Sequence, residues 1–146
     1  MSYDIDIERL IDATADEVFD AFTDPDAIAH WFGLDESWIV RTEGSPAAVG
    51  AKAGVWFGPA DPLSHEERVY TEVDRPHRVA YDETFFGPDG GSFQARLVAT
   101  FEERDGKTLL RVVQTVPLEE VRDRHAQGWP HFLARLGDVV AARKAA

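Results

Sequence analysis

The sequence predicts an α+β domain in which a curved antiparallel sheet of six to seven strands wraps around a long C-terminal helix, with two short helices after the first strand. Three observations predict it. Apolar and polar residues alternate through much of residues 37–116, the apolar period lengthens to three or four residues after Pro117, and two helix-start signals stand between residues 14 and 25.

Tyr3, Ile5, Ile7 and Ile11 alternate with charged residues, the pattern of a half-buried strand over 3–11. Thr14-Ala-Asp-Glu17 has capping-box spacing, and Val18, Phe19 and Phe22 form an apolar stripe behind it. Asp24-Pro25 starts a second helix carrying Ile28, Trp31 and Phe32, which Gly33 ends. Strands are expected over 37–43 and 53–58, separated by a loop at 44–52 containing Gly44, Pro46 and Gly50. Two more, 65–74 and 78–86, flank the turn Asp74-Arg-Pro-His77. After the turn Gly87-Pro-Asp-Gly-Gly91, Phe93, Ala95, Leu97, Ala99 and Phe101 share one face, and Asp105-Gly106 marks a hairpin into 107–116. Beyond Pro117, Val121, His125, Trp129, Phe132, Leu136 and Val140 form one stripe of a long helix. Pro130 removes an amide donor within it, so a kink or a fresh helix start is expected at 128–130.

No repeat, linker or low-complexity tract divides the 146 residues, so residues 1–146 read as one domain. The chain has no cysteine, which excludes disulfides, a thiol nucleophile and thiolate-bound metals. With 27 acidic against 15 basic residues the net charge is −12, so a nucleic-acid partner lacks its main driving force. No apolar run approaches the ~18 residues of a membrane span. Asp4, Asp6 and Glu8 stand where a signal peptide carries positive charge, so a cytoplasmic protein with no membrane partner is expected. Histidines 30, 65, 77, 125 and 131 show no metal-ligand spacing, and no serine sits in a nucleophile elbow. Gly87–Gly91 lacks the lysine and helix of a phosphate loop. No metal or cofactor is expected.

The opening from Ile5 through Asp24-Pro-Asp26, followed by Trp31, resembles small START-like (SRPBCC) domains. The branch it resembles is the one named after the activator of heat-shock-protein-90 ATPase, the homologue-like proteins. Glu72-Val-Asp-Arg-Pro-His-Arg-Val79 is similar to that branch's strand–turn–strand segment. Leu97-Val-Ala-Thr-Phe-Glu-Glu with Thr108-Leu-Leu-Arg-Val is similar to its last hairpin, and Gly128-Trp129 with Phe132 and Leu136 to its closing helix. The resemblance covers nearly the whole chain and implies a helix-grip fold. It also implies three functions: binding of a hydrophobic or aromatic molecule with a link to stress, a polyketide cyclase or aromatase, or a chaperone-linked interaction domain. The co-chaperones of that name carry a further chaperone-binding domain, and none is expected within these 146 residues.

A bent sheet does not touch a straight helix along its whole length, so a hollow is expected between them, apolar with a few polar groups. Trp129, Phe132 and Leu136 line it from the helix, Phe101 from the sheet, and Trp38, Trp56 and Phe85 from the rim. Tyr81, Glu83, Gln114 and His125 stand at inward positions, where an unpartnered polar group costs ~1–3 kcal/mol. If they converge, they orient a polar group on a hydrophobic ligand, or poise Glu83 and His125 for proton transfer. The competing reading has Gln114 bonding the helix, Glu83 paired with an arginine and His125 facing solvent. A hollow below roughly 300 Å³ excludes a drug-sized ligand. Binding without catalysis is the leading expectation, and the sequence leaves monomer or homodimer open.

Overall fold

Alternation in segment 3–11 produces β1 (Tyr3–Ile11), whose Ile5 and Ile11 turn into the core while Asp4, Asp6 and Glu8 stay outside. The computed structural model describes residues 1–146. Helix α1 (Ala15–Thr23) follows, with the capping box formed: Thr14 Oγ1 accepts from the Glu17 amide, and the Glu17 carboxylate accepts from the Thr14 amide. Asp24 caps α2 (Pro25–Trp31), its side chain accepting from the Asp26 amide. The strands β2 (Ile39–Gly44), β3 (Lys52–Gly58), β4 (Ser64–Asp74), β5 (Arg78–Phe86), β6 (Ser92–Arg104) and β7 (Lys107–Val116) then run in sequence. Helix α3 (Glu119–Ala145) closes the chain.

All seven strands form one antiparallel sheet in the order β1-β7-β6-β5-β4-β3-β2. Consecutive hairpins build six of them, and β1 returns to pair with β7 in a register that sets Tyr3 opposite Val116 and Ile11 opposite Thr108. In β4 the register shifts between Tyr70 and Glu72, the signature of a bulge that bends the strand. The result is the helix-grip fold expected from the sequence, with seven strands.

The core splits into two regions along the groove. At one end α1 lies on the sheet: Phe19 and Phe22 are fully buried and meet Phe101 of β6 at 5.1 and 5.7 Å between ring centroids. Each such ring contributes ~1.5–3 kcal/mol by leaving water. Trp31 stacks on Phe22 and donates from its indole nitrogen to the Ala21 carbonyl, which locks α2 onto α1. The C-terminal half of α3 seals this end with Leu133, Leu136 and Val140. The other end is covered by the N-terminal half of α3, and packing there is looser.

One expectation is corrected. No fresh helix starts near Pro130, because α3 runs unbroken through it. Pro130 and Ala126, one turn before it, both lie on the exposed side of the helix, so water can take the carbonyl that proline leaves without a donor.

Candidate functional site

Period-two geometry in β5 turns Tyr81, Glu83 and Phe85 to the concave face, and all three are buried. Opposite them α3 presents His125, Gly128, Trp129 and Phe132, spaced by three or four residues so that they share a helix face. Between these surfaces lies a cavity of about 250 Å³ lined by all of them and by Gln114. Its side wall comes from Phe32 and Leu34 after α2, Trp38 before β2, and Phe57 of β3; Arg124 stands at its edge. The rings form a continuous wall: Phe32 lies 4.8 Å from Phe132 and 5.0 Å from Phe57, and Trp38 stacks parallel to Phe57 at 6.2 Å. A wider groove of about 790 Å³ between α2, the start of β2 and the C-terminal half of α3 is open and lined by mixed charges such as Asp26, Arg135 and Asp138. It lacks the enclosed apolar character of a small-molecule site.

The polar floor centres on Gln114. Its Nε2 donates to Glu83 Oε1 at 2.9 Å, and its Oε1 accepts from Trp129 Nε1 at 3.0 Å and faces His125 Nδ1 at 2.9 Å. Strand β6 runs between β5 and β7, and the residue opposite Glu83 on it is Ala95, whose small side chain leaves room for the Gln114–Glu83 bond. His125 also meets Phe85 edge to face at 5.4 Å. Four sequence-predicted residues therefore do converge: Tyr81, Glu83, Gln114 and His125. Phe85, Trp38, Trp129 and Phe132 line the same cavity.

Three predicted lining residues lie elsewhere. Trp56 sits on the convex face, stacked on His65 at 4.2 Å, because alternation in β3 sends Val55 and Phe57 inward and Trp56 outward. Phe101 and Leu136 belong to the filled end of the groove, Phe101 under Phe19 and Phe22. The alternative partner for Glu83 does not form either. Arg68 of β4, the register partner of Glu83, is bound through two hydrogen bonds of 2.6 and 2.8 Å to Glu66.

Glu66 and Arg68 were not anticipated, yet both are fully buried beside the cavity floor. The Arg68 guanidinium stacks over the Tyr81 ring, 4.3 Å from its centroid. Burial works against the arginine's charge, but the Glu66 carboxylate and the two tyrosines outweigh it and hold Arg68 cationic. Burial first, and then the Glu66 charge, push the Glu83 carboxyl well above the usual carboxylate range, so it is held protonated. Burial likewise pushes the Tyr81 hydroxyl up. His125 is lowered to about 4 by burial and by neighbouring Arg124, so its ring is neutral. The floor therefore offers neutral hydrogen-bonding groups rather than charge. No group of three or more His, Cys, Asp or Glu side chains is arranged to hold a metal ion, and no helix is long and apolar enough to cross a membrane.

A model of the family described as Activator of Hsp90 ATPase homolog 1-like protein matches residues 12–141, and the chain belongs to that family. Among solved structures, protein CV1439 from Chromobacterium violaceum superposes with a TM-score of 0.84 at 21% identity, covering 94% of this chain and 96% of that one. A Staphylococcus epidermidis protein superposes at 0.80 with 23% identity over 96% and 90% of the two chains. DynU16, a protein of the dynemicin biosynthetic locus, superposes at 0.76 with 23% identity. The match covers 94% of this chain and 47% of DynU16, so this chain spans about half of that protein. At these identities the likeness shows the fold. Among curated proteins, none matches the sequence.

Proposed function

We propose that this member of the Activator of Hsp90 ATPase homolog 1-like family is a binding protein for a small aromatic or similarly compact hydrophobic molecule, held between the sheet and α3. One observation carries the reading: the space left beside α3 is walled by aromatic rings and floored by a bonded set of neutral polar groups. At about 250 Å³ the cavity is smaller than the ~300–1,000 Å³ of drug-sized sites. A void of ~150 Å³ takes one benzene ring, so this one suits one substituted ring or two fused rings. Native mass spectrometry of the purified protein tests the reading. A co-purified species of one or two rings, lost when Gly128 is replaced by Leu, supports it. A protein that stays unliganded and takes up no such compound at millimolar concentration overturns it.

An enzymatic reading has one observation in its favour. Glu83, a protonated acid, and His125, a neutral base, both bond to the same glutamine in an enclosed site. A fold neighbour from a biosynthetic locus points the same way. Turnover of candidate polyketides by the native protein, lost in Glu83→Gln and His125→Ala, distinguishes catalysis from storage. Absence of turnover with binding intact leaves the binding protein.

A further inference from the structure

Gln114 is held at both ends, and the two ends are chemically distinguishable. The indole nitrogen of Trp129 is only a donor, so the glutamine atom 3.0 Å from it is the carbonyl Oε1. The opposite end, Nε2, meets the Glu83 carboxyl. Because Oε1 only accepts, the nitrogen of His125 that lies 2.9 Å from it, Nδ1, carries the ring proton. A neutral imidazole has one proton, so Nε2 keeps its lone pair. No protein group bonds to that atom, and His125 is one of the side chains that line the cavity. With Nδ1 held by Gln114, and Gln114 held by Trp129, Nε2 is the ring nitrogen left for an occupant to meet.

We propose that the molecule bound in this cavity is a hydroxylated aromatic compound, a phenol or naphthol, whose O–H donates to Nε2 of His125. The inference rests on the cavity being a ligand site. The apolar walls take the ring, and the acceptor selects the substituent. A carboxylate ligand meets the wrong chemistry: it brings acceptors to an acceptor, and it brings charge to a floor whose own acid, Glu83, is held uncharged by burial. A methyl ether has the same ring but no donor and leaves Nε2 unpaired.

The test titrates three probes, 2-naphthol, 2-methoxynaphthalene and 2-naphthoate, into the protein. Calorimetry gives affinity, and the amide and indole ¹H–¹⁵N resonances of Gly128 and Trp129 report where each binds. The expected order is naphthol tighter than the ether by ~10-fold, the worth of one hydrogen bond, with naphthoate weakest. In His125→Phe, whose fold the same spectrum verifies, naphthol and the ether bind alike. Ether and naphthol binding equally to the native protein, or naphthoate binding best, overturns the acceptor while leaving an apolar cavity that binds rings. No binding by any probe overturns the cavity reading and this inference together. Independently, the imidazole ¹⁵N shifts of the free protein should show Nδ1 protonated and Nε2 bare; the opposite pattern sinks the proposal without any ligand.

Discussion

Trp129 Nε1 sits 3.0 Å from Gln114 Oε1, and this contact between α3 and β7 ties the helix to the sheet where the cavity holds them apart. Replacing Gln114 with Leu keeps the volume but strips partners from Trp129, His125 and Glu83. Each buried group left unpaired costs ~1–3 kcal/mol, so a loss of about 3 kcal/mol is expected. Urea unfolding measures it, and a loss under ~1 kcal/mol would show that water replaces the amide.

Two residues of the floor should give stability slopes of opposite sign with pH. Glu83 has a folded pKa raised above 4.5, so its contribution is full below that value and falls as pH rises toward the folded pKa. Glu83→Gln should flatten this limb, leaving the variant the more stable protein at pH 8. His125 has the opposite sign: at about 4 when folded against 6.5 unfolded, it loses stability as pH falls from 6.5 toward 4. That limb is worth about 3 kcal/mol and should vanish in His125→Phe. Melting temperatures between pH 4 and 9 read both, and parallel curves for variant and native protein would refute the assignment.

Gly128 is a weak helix former at the cavity wall, and a Cβ built there meets only Leu34, at an ordinary 3.5 Å. Gly128→Ala should therefore raise stability by ~0.5–1 kcal/mol through helix propensity. The same methyl narrows the cavity, so ring binding should weaken. Thermal melts and a naphthol titration on one sample check both halves.

The two tryptophans expected at the rim, Trp38 and Trp56, should separate cleanly. Trp38→Ala opens the aromatic wall and should weaken ring binding by about fivefold, the loss of ~1 kcal/mol of apolar contact. Trp56→Ala, on the convex face, should leave affinity unchanged. Equal effects would mean that the ligand lies outside the cavity.

The sequence revealed the fold because its local signals agree: Thr14 and Asp24 do cap helices, Asp105-Gly106 does close a hairpin, and the helical stripe after Pro117 does lie in the groove. The cavity was legible where large apolar neighbours marked the inward face, as Val79 and Phe85 did for Tyr81 and Glu83. Glu66 and Arg68 were hidden because β4 carries charges on both faces: Glu66 and Arg68 inside, Glu67 outside. Their clue was parity with the buried Tyr70, which period two makes available but composition conceals. Trp56 was expected at the rim with Trp38, whereas its neighbours Val55 and Phe57 set the facing of β3 and turn it outward. Phe101 faced inward as expected, but how far along the groove α1 fills it is a matter of helix placement that no period records.

The pairing of β1 with β7 also bears on how the molecule is made. Thr115 bonds to Asp4 across 111 residues of chain, so β1 leaves the ribosome long before the strand that will pair with it. Topologies dominated by such distant partners fold slowly. Until β7 emerges, the Ile5, Ile7 and Ile11 side of the nascent strand stays uncovered, a period in which a holdase has something to grip.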